Sequence, residues 1–131
     1  MKVEQIFSND EINGVEYKNL SKSLQQILIE NPNATFLGSA SGNSMEGVGI
    51  YSDDILVIDR ALDYKQNDVI VVDFNGSFAC KIIDVKNKQL ISASEEYPPI
   101  KITRQDKIQV EGVVTKSIRM HRTPPELSDF S

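Results

Sequence analysis

One cysteine, Cys80, stands in 131 residues, so no internal disulfide can form and burial and hydrogen bonding must hold the fold. Cys80 falls in a strand pattern and reads as a small core residue. Histidine is equally scarce. His121 is the only one, set among Lys116, Arg119 and Arg122, so a Ser-His-Asp triad has little to be built on and no His cluster offers a metal site. Neither a metal nor a cofactor is expected. No apolar run approaches the roughly 20 residues of a membrane-spanning helix, and the N-terminus shows no signal-peptide pattern. The expectation is a soluble, cytoplasmic protein with no membrane partner. Positive charge is also in short supply: 14 Lys and Arg face 19 Asp and Glu, for a formal net charge of −5 and a pI near 4.8. That balance argues against nucleic-acid backbone as the main ligand and for protein partners. The length suits one domain with a real core.

What is present is a loop of small residues, Ser39-Ala40-Ser41-Gly42-Asn43-Ser44-Met45, after a short apolar run. Ser, Gly and Asn let a backbone come close to another chain and turn its N–H groups toward a carbonyl oxygen. Ser44 is the candidate nucleophile, with its own N–H and that of a neighbour such as Asn43 as oxyanion donors. The second candidate is Lys81, and its setting follows from Asn75-Gly76, the strongest hairpin signal in the chain. A two-residue type I′ turn there pairs Val69 to Phe74 with Ser77 to Ile83. Phe74 then faces Ser77, Ala79 faces Val72 and Lys81 faces Ile70. The period of two sets Ala79, Lys81 and Ile83 on one face and Phe78, Cys80 and Ile82 on the other, so neither face looks solvated. A lysine amine dried by such neighbours is biased toward the neutral form, which can act as a general base toward a serine hydroxyl. The competing reading is an edge-strand lysine that snorkels to water.

Phe36-Leu37-Gly38 running into this loop, Gly49-Ile50, Asp54-Ile55-Leu56-Val57-Ile58-Asp59 and Phe78-Ala79-Cys80-Lys81 resemble the LexA/UmuD family of self-cleaving Ser/Lys peptidases. The nearer branch is that of UmuD, an accessory subunit of an error-prone polymerase. The likeness runs from about Leu24 to Arg122 and includes Asn31-Pro32-Asn33-Ala34-Thr35 and Glu111-Gly112-Val113-Val114-Thr115. It departs at Asp53, where the family pattern has glycine, a change expected to alter a turn and leave the chemistry alone. The resemblance implies a mostly β, compact, curved multi-strand peptidase domain with one short N-terminal helix over residues 20–122. A mobile arm, residues 1–19, precedes it and a flexible tail, residues 123–131, follows.

It further implies a catalytic Ser44/Lys81 dyad that cuts the arm when a RecA filament on single-stranded DNA favours the cleavable arrangement. The product would be a homodimer joining a UmuC-like Y-family polymerase in SOS mutagenesis. Aligned without gaps, the scissile bond is Ser8-Asn9, where the family prefers Ala or Cys before Gly. Asn13-Gly14 restores the glycine but needs a shift of five residues. Signal peptidases also use a Ser/Lys pair, yet they work at a membrane surface. No room for a helix-turn-helix precedes Ser44, so direct sequence-specific DNA binding is not expected, unlike in LexA-type repressors. The alternatives are a non-cleaving UmuD-prime-like binding module and a mixed-dimer antagonist of a polymerase or repressor.

Elsewhere the pattern is structural. Leu20, Leu24, Ile27 and Leu28 share one helical face, capped by Asn19 or Ser21 and ended by Asn31-Pro32. Ala34 to Leu37, Ile55 to Ile58, Gln89 to Ser92 and Ile108 to Ile118 read as strands, and Ser94 to Pro99 as an extended loop. Asp54 and Asp59 would point to opposite faces and suit turns, not a carboxylate pair. Lys116, Arg119, His121 and Arg122 read as a solvated strand end. Past Pro124-Pro125, the tail residues Glu126, Leu127, Ser128, Asp129 and Phe130 resemble peptides that dock on sliding clamps, with Glu126 and Asp129 departing.

Overall fold

The computed structural model describes residues 11–12, 15–16 and 22–122. Both proposed cut bonds, Ser8-Asn9 and Asn13-Gly14, and the tail from Thr123 lie outside the described residues, as does the clamp-like segment. The chain divides into two compact units, residues 1–30 and 31–131.

In the first unit β1 (Glu11–Ile12) and β2 (Val15–Glu16) pair antiparallel, with Ile12 opposite Val15. Strands this short have no alternation to read, and the one sign of them in the sequence is the Asn-Gly pair between them, the same dipeptide as at Asn75-Gly76. α1 (Leu24–Leu28) follows. Its cap is Ser23, not Asn19 or Ser21: Ser23 Oγ accepts the Gln26 amide at 3.1 Å and Gln26 Oε1 accepts the Ser23 amide at 2.9 Å. This reciprocal pair starts the helix later than the apolar stripe suggests, because it satisfies two amides that an earlier start would leave to weaker caps. Leu24, on the expected apolar face, is 61% exposed, and α1 fully buries no residue.

The second unit is built on β3 (Thr35–Ser39), β4 (Ile55–Asp59), β5 (Val69–Phe74), β6 (Ser77–Asp84), β7 (Gln89–Ile91), β8 (Ile100–Lys101) and β9 (Ile108–Ile118). They form one antiparallel sheet in the order β3-β4-β9-β5-β6-β7-β8. The fold is mostly β, as expected. The β5–β6 register is the one the Asn-Gly turn dictates, with Phe74 opposite Ser77 and Ile70 opposite Lys81. Asn75 and Gly76 have φ of 52° and 90°, the two positive values a type I′ turn requires. Only β8 goes unanticipated among these strands, being two residues long.

β9 lies between β4 and β5, so the last strand in sequence joins the two halves of the sheet. Its register slips against both neighbours, at Val57/Ile58 on β4 and at Val71/Val72 on β5, and the second slip leaves Glu111 without a partner on β5. Gly112 allows the close approach, since a Cβ there would lie 2.7 Å from Ile58 Cγ2. The sheet is covered on both faces. Ile70, Val72, Ile83, Leu90 and Val113 form one cluster, and Met45, Ile50, Leu56 and Ile58 form the other with Val71 and Cys80 against them. Phe78 departs from the expected pattern at 71% exposure, because β7 pairs with β6 only from Ile82 onward and leaves the edge beside Phe78 open.

Candidate active site

The serine loop is anchored at three points. Ala40 is bonded on both sides, its amide donating to Asp54 O and its carbonyl accepting from Asp53 N, each at 2.8 Å. Asp53 takes the left-handed conformation, φ 74°, that suits the glycine of the family pattern, and aspartate tolerates it better than most side chains. The turn therefore survives the substitution. Met45 is buried and carries the loop into the core, where its carbonyl accepts the Ile50 amide at 3.2 Å. The third anchor is the Gly47 amide, which donates to Ala93 O at 2.9 Å. A Cβ on Gly47 would overlap that oxygen, so glycine lets the two segments meet.

A fourth tie holds the far side of this loop. Arg119 donates through Nε to Asp54 Oδ1 at 2.9 Å and through Nη2 to Asp54 Oδ2 at 3.0 Å, and Nη2 also donates to Gly49 O at 3.0 Å. Its guanidinium lies 4.3 Å from the Tyr51 ring centroid. The hydrogen bond from Arg119 holds the buried Asp54 carboxyl below the usual carboxylate range, against the upward push of burial. Arg119 thus leaves the solvated cluster the sequence suggests, and that expectation is corrected. Long-range pairing between Asp54 and Arg119 carries no local signal. Asp59 fills a strand-end role, accepting from Asn31 Nδ2 and the Ala61 amide, each at 2.8 Å.

Ser44 is half-buried beyond Asn43. Among the described residues no hydrogen bond takes up the amide of Asn43 or of Ser44, and none is made by the Ser44 hydroxyl. Lys81, on β6, is half-buried too. Its stem is flanked as expected by Ile70, Ala79 and Ile83. Its amine does not bond to Ser44. Lys81 Nζ donates to Ser92 Oγ at 2.6 Å and sits 5.9 Å from the centroid of the Tyr97 ring, while Tyr97 Oη donates to Asn43 Oδ1 at 2.8 Å. Ser44 and Lys81 line one cavity of about 460 Å³, whose apolar wall includes Met45, Leu56, Ile58 and Phe78. Arg60 and Glu111 also line it, 3.4 Å apart, with the Arg60 guanidinium over the Phe36 ring.

Cys80 lines the same cavity, and burial pushes its thiol up to about 11, so it stays protonated. Ser92 and Tyr97 are the site residues that the sequence does not single out. Continuing the β6–β7 register one step past Ile82 and Ile91 sets Ser92 opposite Lys81, so the hairpin over Asp84 to Gln89 held the signal for Ser92.

The model of the peptidase S24-like family matches residues 4–115. The chain belongs to this family. It is 31% identical over 108 residues to protein ImpA of Salmonella typhimurium, covering 82% of this chain and 73% of ImpA. Protein SamA of Salmonella typhimurium strain LT2 is 30% identical over 109 residues, 82% of this chain and 76% of SamA. The LexA repressor of Pseudoalteromonas atlantica is 29% identical over 91 residues, 67% of this chain and 44% of the repressor. Among the described residues no helix of this S24-like chain is long and apolar enough to cross a membrane.

Proposed function

We propose that the protein is a UmuD-like self-cleaving serine peptidase in which Ser44 is the nucleophile and Lys81 the general base. The observation that carries the reading is the shared cavity: a loop serine with an uncommitted hydroxyl and a strand lysine open into one apolar hollow. Neutral Lys81 takes the Ser44 proton as Oγ bonds to the carbonyl carbon of an arm peptide, and the oxygen that gains charge is met by the Asn43 and Ser44 amides. When the C–N bond breaks, Lys81 returns the proton to the leaving amine. Water then attacks the acyl-serine, giving its proton to Lys81, and the ester opens to a carboxylate and free Ser44. The cut falls at Ser8-Asn9, with Asn13-Gly14 as the second choice. A RecA filament on single-stranded DNA acts by favouring the cleavable arrangement. The shortened chain, as a homodimer, serves a UmuC-like Y-family polymerase in the SOS response, and the tail from Glu126 to Phe130 offers it a hold on a sliding clamp.

Incubating the purified protein at alkaline pH raises the neutral fraction of lysine and bypasses RecA. Mass spectrometry should then show loss of a fragment ending near residue 8 or 13, and Ser44→Ala or Lys81→Ala should slow its release by ~10³-fold or more. An intact mass under all conditions favours the second reading, a non-cleaving module or mixed-dimer antagonist. One observation leans that way: the gap-free cut position Ser8-Asn9 has asparagine where the family has glycine.

A further inference from the structure

We propose that Ser92 is the positioning residue for the Lys81 amine, and that residues 92–97 form a brace holding the two halves of the candidate site in register. The proposal rests on the Ser44/Lys81 reading for its consequence in catalysis, but its geometry stands alone. A lysine side chain has four rotatable torsions and ordinarily holds its amine loosely. Here β6 fixes only the stem. The amine is fixed by one short bond, from Nζ to Ser92 Oγ at 2.6 Å, and Ser92 is 8% exposed, so water does not readily replace it as a partner.

The direction of this bond is what makes it useful. A neutral amine has two N–H donors and one lone pair. Donating one N–H to Ser92 Oγ sets the rotation about the last C–N bond and leaves the lone pair free to take a proton from the cavity side. A hydroxyl directly on the path between Lys81 and Ser44 would compete for that lone pair. Ser92 avoids this by lying on the neighbouring strand line, across the ladder from Lys81.

The same segment also reaches the serine loop. Ala93 O accepts the Gly47 amide at 2.9 Å, and Tyr97 Oη donates to Asn43 Oδ1 at 2.8 Å with its ring 5.9 Å from Lys81 Nζ. Within six residues the chain touches the loop before Ser44, the loop after it, and the amine of Lys81. A displacement of about 1 Å between reacting groups is enough to slow a reaction by roughly 100-fold, so a rigid brace of this kind has a measurable effect.

The test uses the full-length chain, as wild type, Ser92→Ala and Ser92→Thr, labelled with ¹³Cε-lysine. Side-chain relaxation of the Lys81 resonance, assigned by its loss in Lys81→Arg, should report an ordered amine in wild type and Ser92→Thr and a disordered one in Ser92→Ala, with melting temperatures within a few degrees. Self-cleavage at alkaline pH should fall ~10-fold or more in Ser92→Ala and return to within about threefold of wild type in Ser92→Thr. Equal order of Lys81 in wild type and Ser92→Ala overturns the proposal, as does an unchanged cleavage rate in Ser92→Ala. Should the wild type never cleave while Lys81 loosens in Ser92→Ala, the positioning role stands and the self-cleavage reading falls.

Discussion

At the scale of single residues, Cys80 separates exposure to a cavity from reactivity. Its thiol opens toward the same hollow as Lys81, yet the low polarity of its surroundings penalises the thiolate more than the nearby lysine favours it, and the group stands at about 11. At pH 8 an ordinary cysteine is partly ionised, so iodoacetamide should label Cys80 of the folded protein roughly 100-fold more slowly than the same residue in denaturant. Native and denatured labelling rates, read by mass spectrometry, check this, and equal rates would contradict the burial argument. Residue-scale reading of the sequence gives Cys80 the right character, because a small apolar side chain in a strand pattern needs only local information. For Arg119 the same style of reading fails. A cation after a strand looks solvated until the fold delivers Asp54 from 65 positions away.

At the scale of elements, two turns decide the geometry around Lys81. The Asn75-Gly76 turn sets the β5–β6 register, and its two left-handed residues are written into the sequence. The turn between β6 and β7 depends on Asp84, whose carboxylate accepts Gln66 Nε2 and Asn87 Nδ2 at 2.8 Å and Gln89 Nε2 at 3.0 Å. These side-chain donors, Gln66 first, hold its carboxyl far below the ordinary range. A depressed folded value means that the stabilisation is fully present above the unfolded carboxyl value of about 4 and is lost as pH falls toward the folded one. Asp84→Asn should therefore lower the melting temperature at pH 7, and the gap from wild type should close as pH drops below about 4. Thermal melts across that window measure it; a gap independent of pH would mean the carboxylate charge is not what holds the turn. Because this turn also lines Ser92 up with Lys81, Asp84→Asn should slow self-cleavage as well.

At the scale of the whole molecule, β3 and β8 are the outermost strands of the seven-stranded sheet among the described residues. The family resemblance implies a homodimer. Sedimentation equilibrium should accordingly report a particle of twice the 14.7 kDa chain mass, and a monomer at all accessible concentrations would remove that expectation. Whole-molecule arrangement is also where sequence reading meets its limit. By itself the sequence determined the strands long enough to alternate, the I′ turn, the register that sets Lys81 against Ile70, and membership of an S24-like family. All of these depend on residues close together in the chain or on a pattern carried along it. Only the tertiary structure decided that β9 inserts between β4 and β5, that Gly112 and Gly47 sit where a side chain would collide, and that Arg119 closes on Asp54. Those outcomes depend on which strands win the competition to pair and on clearances between distant segments, and neither quantity is expressed in any local stretch of sequence.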